Sequence, residues 1–392
     1  MRASAVPVTA WTAVSALGRG SADHAAALRA ERSGLSPCPL PLPFATVTGS
    51  VPGDLEPLDG SLARFDSRTA RLAVLGYDGV RDHVARAIQR WGADRVALVL
   101  GTTSGGMPET DEAAVAWHTT GALPSRYDYL GQQPLGAFTE VVRAVSGIRG
   151  PRFVVSAACS SGSKVFASAR RLIRAGIVDA ALVGGVEALV DSTVRGFYAL
   201  GVLAPTACKP FAKDRPGMNL GEGAAYALLE REGDARVSLL GVGETSDAYH
   251  MSSPDPEGRG ALAAMRLAVA DAGLEPTAVD HVNAHGTGTR HNDLAESKAI
   301  AALFGRRVPV ASTKGYTGHL LGASGAIEAI FAMECIARGF LPASLGAEPL
   351  DPELDIRLLT RSESTRVRVV LSNSFAFGGS NCALVFGGSE AP

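Results

Sequence analysis

Cys159 ends the run Val154-Val155-Ser156-Ala157-Ala158 and is followed by Ser160-Ser161-Gly162, so a β-branched strand gives way to small residues and then to a helix. In that helix Val165, Phe166, Ala169, Leu172 and Ile173 recur at helical spacing, and Gly176 closes it. The sulfur therefore sits at a helix N-terminus, where unpaired N–H groups and the macrodipole favour an anion. A thiolate is the useful nucleophile, whereas a neutral buried cysteine is only a small hydrophobe. The dipole is worth roughly 0.3–2 kcal/mol, and about 1.4 kcal/mol moves a pKa by one unit, so its effect is on the order of one unit. From a reference of about 8.5 that leaves the thiol partly ionised, and a working nucleophile needs a base or cation beside it.

Two histidines have matching settings. His285 follows an apolar strand and opens Gly286-Thr287-Gly288-Thr289, and His319 lies in Ser312-Thr313-Lys314-Gly315-Tyr316-Thr317-Gly318-His319, again where a strand yields to a helix. Lys314 ends a buried strand, which requires a partner charge; Glu296 is the candidate, with Asp293 second. Together His285, His319 and Lys314 would give the cysteine the positive surroundings that the dipole alone does not. His24, His83, His118, His250, His281 and His291 have no such setting and receive no role. Ser372-Asn373-Ser374-Phe375-Ala376-Phe377-Gly378-Gly379-Ser380-Asn381 links two strands, either as an ordinary hairpin or as a flexible gate whose N–H groups face a developing oxyanion.

The elements that must position these groups repeat. Arg71 to Gly101 reads as helix, turn and buried strand, and Gly260 to Gly286 follows the same plan. The strand and helix around Cys159 are echoed by Val308–Lys314 and the helix ending at Gly339, and Val178–Gly185 by Arg368–Asn373. Helices alternating with near-continuous apolar strands indicate an α/β fold with mostly parallel, buried sheets. The repeat predicts two similar halves, 1–235 and 236–392, meeting across an active site at the strand ends. The stretch from Met107 to Val142 has no counterpart in the second half, so a segment of about 107–150 is expected to cap a pocket or form a subunit interface.

The formal charge of −2 gives no reason to expect nucleic acid or an anionic membrane as partner. Five cysteines at irregular spacing argue against a disulfide framework or a zinc site, so no metal is expected. No apolar run reaches membrane-spanning length, and Met1–Val6 lacks a leader's apolar core, so a cytoplasmic protein is expected.

The Cys159 bend, Asn283-Ala284-His285-Gly286-Thr287-Gly288-Thr289, Ser312-Thr313-Lys314 with Thr317-Gly318-His319, and Phe377-Gly378-Gly379-Ser380-Asn381 together resemble the elongating β-ketoacyl-acyl-carrier-protein synthases. The likeness covers nearly the whole chain, including Pro210-Phe211, Arg215-Pro216-Gly217 and Gly221-Glu222-Gly223-Ala224. It implies the thiolase fold, a five-layered αβαβα arrangement of two duplicated halves. It also implies an acyltransferase that joins malonyl-acyl-carrier-protein to a Cys159-bound acyl chain, releasing CO2 and 3-oxoacyl-acyl-carrier-protein. His285 and His319 would promote decarboxylation and hold the enolate oxygen, and the N–H groups of Cys159 and Phe377 would form the oxyanion hole. Lys314, held by Glu296, would support the histidines electrostatically. Thr287 and Thr289 would bind the phosphopantetheine arm, which belongs to acyl carrier protein, so no separate cofactor is implied. The expected assembly is a homodimer, or a heterodimer with a homologue of the chain-length-factor kind.

Some residues depart from the family pattern. Ala376 stands where the gating loop usually carries glycine, which should stiffen it. Ser104 stands where many relatives place a bulky aliphatic gate in the acyl pocket, a smaller and more polar choice that suits a long, rigid or unsaturated chain. Ala212 replaces the usual aspartate after the Pro-Phe pair. Phe65–Leu72 and Lys314-Gly315-Tyr316 look more like synthases of aryl-polyene or related polyene pathways. The alternatives are a non-catalytic chain-length-factor-like subunit, which typically lacks the cysteine, and a degradative thiolase, which would carry a second cysteine in the loop held here by Phe377-Gly378-Gly379; Cys382 reads as core. Lys209, Lys213 and Arg215 are the basic residues expected to meet the carrier protein.

Overall fold

The computed structural model describes residues 5–391; Met1–Ser4, part of the segment read for a leader, lie outside the described residues. Ten strands carry the architecture: β1 (Val6–Ser15), β2 (Val96–Gly101), β3 (Arg152–Val155), β4 (Ala180–Glu187), β5 (Gly223–Glu230), β6 (Val237–Ser246), β7 (His281–Asn283), β8 (Pro309–Ala311), β9 (Val369–Ala376) and β10 (Ser380–Gly388). In the first half the order is β1-β5-β4-β2-β3, with β1, β5 and β4 antiparallel and β4, β2 and β3 parallel. The second half runs β6-β10-β9-β7-β8 with the same directions. Strand for strand, each member of the first half has its mate five places later. The halves join where β1 pairs with β6, Val6 opposite Leu239.

Burial explains the strand sequences. Val-Ala-Leu-Val-Leu-Gly of β2 is buried at every position, as a parallel strand covered on both faces must be. Helices α1 (Arg68–Asp78) and α2 (Arg81–Trp91) cover the outside of the first half. Ser67 caps α1, its side chain accepting the Ala70 N–H at 3.2 Å. In the first half α3 (Met107–Thr120) and α4 (Ala137–Ser146) occupy the connection from β2 to β3, and α5 (Ser161–Arg174) follows Cys159. The second half is covered outside by α6 (Arg259–Asp271) and α7 (Arg290–Phe304), while α8 (Ser324–Arg338) follows His319.

Helices α5 and α8 form the middle layer, packed with strands of both halves into one core. Helix α8 is buried at every position from Ser324 to Cys335, as befits a helix with protein on all sides. The two helices meet at their first turns. A Cβ on Gly162 would stand 2.6 Å from the Ala326 nitrogen, and one on Gly325 2.3 Å from Ser163 Oγ. Only glycine permits that approach, which brings the strand-end loops of the two halves together.

The 107–150 segment is less of an insertion than its sequence suggests. At the corresponding point, between β7 and β8, the second half carries α7. Phe138, Val141 and Val142 of α4 are buried against α1, whereas Val115, Trp117, Leu123 and Leu130 of the same segment stay exposed. Among the described residues no helix is long and apolar enough to cross a membrane.

Candidate active site

The bend at Cys159 is held by local polar groups. Ala158 takes a left-handed conformation (φ 47°), unusual for a residue with a Cβ and a sign of stored strain. Ser161 Oγ accepts the Ala157 N–H at 2.8 Å and donates to the Ala158 carbonyl at 2.6 Å, while Ser160 Oγ donates to the Ala157 carbonyl at 2.8 Å. These hydroxyls satisfy backbone groups that the strand can no longer pair, and they fix the sulfur at the start of α5.

Cys159, His285 and His319 line one cavity of about 490 Å³, together with Thr287, Thr289, Met218, Phe197, Phe375 and Phe377. The two imidazole rings lie edge to face with centroids 5.3 Å apart. His319 Nδ1 is 2.8 Å from Ser324 Oγ, on the first turn of α8. Lys314 Nζ lies 3.4 Å from His285 Nδ1. A lysine ammonium donates and cannot accept, so Nδ1 of His285 is the acceptor and its proton sits on Nε2.

The counter-ion of Lys314 corrects the sequence expectation. Its Nζ is 2.5 Å from Glu328 Oε1, both side chains being buried, and Glu296 is engaged elsewhere. Glu296 accepts the backbone N–H groups of His285 and Gly286, each at 2.8 Å, and the Asn373 amide at 3.1 Å. It therefore seats the His285 backbone. Asp293 likewise accepts the N–H of Phe211 at 2.8 Å and of Gly288 at 3.2 Å. Glu328 was missed in the sequence, although it is one of only two acids in an apolar helix, four residues after Ser324 and so on the same face. Lys314 itself opens a single helical turn, Lys314–Thr317, just beyond β8.

Burial dominates the titration of the site. It holds both His285 and His319 well below the ordinary histidine value, with Lys314 adding to the effect. It pushes Glu296 and Glu328 up to about 7. It also pushes the Cys159 thiol up to about 12, against the pull of Lys314. The expected positive surroundings thus reduce to Lys314, with two neutral imidazoles, and the resting thiol keeps its proton. Neutral imidazoles can still take that proton or donate from a ring nitrogen.

Ser104 also differs from expectation. Its hydroxyl donates to Glu187 Oε1 and its N–H does so at 2.9 Å, and it is not part of the cavity lining. Glu187, fully buried at the end of β4, further accepts from Thr102 Oγ1, from the N–H and hydroxyl of Thr103, and from the Gly322 N–H at 2.8 Å. It ties the turn after β2 to the turn leading into α8. The apolar strand Ala180–Val186 that precedes it hides this in the sequence.

The gate loop is a hairpin turn between β9 and β10, with Gly378 at φ 80° and Gly379 at φ 74°. The Gly378 N–H donates to the Met251 carbonyl at 2.8 Å, and Ala376 is extended (φ −133°), so its Cβ meets no backbone penalty. Thr287 and Thr289 face the same cavity, their hydroxyls 2.8 Å apart. Of the basic trio, Arg215 is buried, pairing with Asp351 at 2.6 Å and Asp293 at 3.6 Å, so it is unsuited to meeting a partner; Lys209 pairs with Asp214, and Lys213 is exposed. Cys382 is fully buried in β10, away from the cavity. Among the described residues no group of three His, Cys, Asp or Glu could hold a metal ion.

With this geometry in view, residues 3–235 match the β-ketoacyl synthase N-terminal domain and residues 237–348 the β-ketoacyl synthase C-terminal domain. The chain belongs to the β-ketoacyl synthase family. It is 34% identical over 345 residues to the 3-oxoacyl-[acyl-carrier-protein] synthase 2 of Staphylococcus aureus (strain COL), covering 84% of this chain and 83% of that one. A chain of the complex between the ketosynthase ApeO and its chain length factor ApeC from Xenorhabdus doucetiae superposes with TM-score 0.93, 38% identity and 98% coverage of both chains. The ishigamide ketosynthase/chain length factor gives 0.91 at 29% identity, covering 98% and 99%. The fold is accordingly the thiolase fold of ketosynthases, and the chain is a condensing acyltransferase of chain elongation.

Proposed function

We propose that this synthase loads an acyl chain onto Cys159 and extends it with malonyl-acyl-carrier-protein, releasing CO2 and 3-oxoacyl-acyl-carrier-protein. The reading is carried by one observation: Cys159, His285 and His319 share a cavity, and buried Lys314 donates to His285 Nδ1 from behind its wall. In the first half-reaction the Cys159 sulfur attacks the thioester carbon. Its proton passes to a neutral imidazole, for which His319 is suited because Ser324 Oγ can accept from its Nδ1, and then to the departing pantetheine sulfur. The N–H groups of Cys159 and Phe377 face the tetrahedral oxyanion. In the second half-reaction malonyl thioester loses CO2, and the enolate oxygen is held by Nε2–H of His285 and by Nε2–H of His319, in the tautomer where the Ser324 hydroxyl turns to donate to Nδ1. The enolate carbon then attacks the Cys159 thioester carbon, the new C–C bond replacing the C–S bond, and the expelled Cys159 thiolate regains a proton from water to restore the resting thiol. Thr287 and Thr289 are assigned to the phosphopantetheine arm, which brings all the chemistry the substrates need, and no separate cofactor is invoked.

We place the enzyme in the cytoplasm, with acyl carrier protein as substrate carrier. Its assembly partner is a chain-length-factor-like homologue or a second copy, meeting it across β3 and exposed Val115, Trp117, Leu123 and Phe153. The likeness to the ApeO–ApeC complex supports the paired form, while the polyene pathway rests on the resemblance of Phe65–Leu72 and Lys314-Gly315-Tyr316, Ser104 no longer supporting a polar gate. Mass spectrometry of products from saturated, unsaturated and aryl acyl carrier proteins, with and without neighbouring pathway proteins, tests this. Processing of saturated chains alone by the isolated protein would refute the polyene assignment.

A further inference from the structure

Pro37-Cys38-Pro39-Leu40-Pro41-Leu42-Pro43-Phe44 alternates proline with an apolar residue. The prolines are all exposed and the residues between them all half-buried. The segment is the loop of a hairpin whose stems, Ser36–Pro37 and Val47–Thr48, pair antiparallel. Proline fixes φ and supplies no N–H, so the strap holds its shape without a sheet neighbour. The Leu42 N–H reaches the Leu40 carbonyl at 2.9 Å, a tight turn around Pro41.

Leu40, Leu42 and Phe44 pack against the apolar group that contains Cys159, Leu189, Val194, Met218 and Leu321. They lie on the helix Asp191–Ala199. The Phe44 ring stacks on Tyr198, centroids 3.7 Å apart and planes 2° from parallel, and Arg195 Nη2 donates to the Pro41 carbonyl at 3.1 Å. Phe197, the residue before Tyr198, stacks on Phe377 of the Phe-Gly-Gly turn at 5.9 Å. The strap thus reaches, through Tyr198 and its chain neighbour Phe197, the ring of Phe377, which lines the same cavity as Cys159.

We infer that the strap is a positioning element for the gate: Phe44, acting through Tyr198 and Phe197, holds Phe377 over Cys159 and so controls how readily acyl chains reach the sulfur. This rests on reading Cys159 as acyl acceptor and Phe377 as gate. The test is therefore a reaction independent of carrier protein, alkylation of Cys159 by iodoacetamide in the purified full chain, followed by peptide mass spectrometry. A stacked aromatic pair worth up to about 1.5 kcal/mol corresponds to roughly tenfold in the open population, so Phe44→Ala should alkylate roughly tenfold faster. Phe44→Tyr, which restores the ring, should match the wild type. Phe377→Ala should also react faster, and adding Phe44→Ala to it should change nothing further, because the strap acts only through that ring. Buried Cys208, Cys335 and Cys382 report general loosening and should stay unreactive in every variant. An unchanged rate in Phe44→Ala, multiplicative effects in the double variant, or equal labelling of the other buried cysteines would overturn the inference. Accelerated alkylation in a protein that cannot be acylated by carrier protein would uphold the strap and reject the functional reading.

Discussion

Glu328→Gln removes the carboxylate that faces Lys314 while keeping its volume. Lys314 and Glu328 are both buried, 2.5 Å apart, and Lys314 also reaches His285 Nδ1 at 3.4 Å. Taking away one member of a buried pair costs about 3–5 kcal/mol, because the other charge is left without compensation. The lysine escapes that cost by moving, which frees His285 Nδ1, or by losing its proton, which leaves an amine that can accept from Nδ1 as well as donate to it. The imidazole proton is then no longer fixed on Nε2, and the enolate loses a preorganised donor. Loss of one such donor costs roughly 10²–10³ in rate. The assay is CO2 release from malonyl-acyl-carrier-protein, alongside thermal unfolding. Glu328→Gln should be destabilised and slow in decarboxylation. Replacing both partners, Lys314→Met with Glu328→Gln, should regain most of the stability, since no charge is stranded, while decarboxylation stays slow. A Glu328→Gln protein that decarboxylates at the wild-type rate, or a double variant that recovers activity with stability, would refute the reasoning.

Other outcomes follow from the same contacts. Cys159→Gln should lose condensation and keep malonyl decarboxylation, because that step uses the imidazoles and not the thiol; CO2 release without 3-oxoacyl product checks it. Glu187→Gln puts an amide NH2 where an oxygen now accepts N–H donors from two turns, so it should slow decarboxylation and lower the melting temperature together. An unchanged melting temperature would contradict its bridging role.

Much of the fold could be read in the chain because both halves carry the same local signals: buried apolar strands, glycine ends and helices of similar period. Cys159, His285, His319 and the Phe377 turn were legible for a related reason, since each lies where one strand of the repeat ends. What stayed hidden depends on distances between segments remote in sequence. Glu296 and Glu328 are both acids on helices near Lys314 in the chain, and only the folded packing, with Glu296 taken up by the His285 and Gly286 N–H groups, shows that the lysine meets Glu328. Glu187 and Arg215 read as a strand end and a charged loop until burial and partners are known. The thiol was misjudged because helix position is local, whereas desolvation, the larger effect, belongs to the burial that only the folded chain provides.

The central claim is that Cys159 accepts the acyl chain. Intact-mass measurement of the purified protein after incubation with acyl-acyl-carrier-protein tests it most directly. The wild type should gain one acyl group, lose it again when malonyl-acyl-carrier-protein is added, and yield 3-oxoacyl product, while Cys159→Ala should gain nothing. The same acylated species on Cys159→Ala would contradict the account.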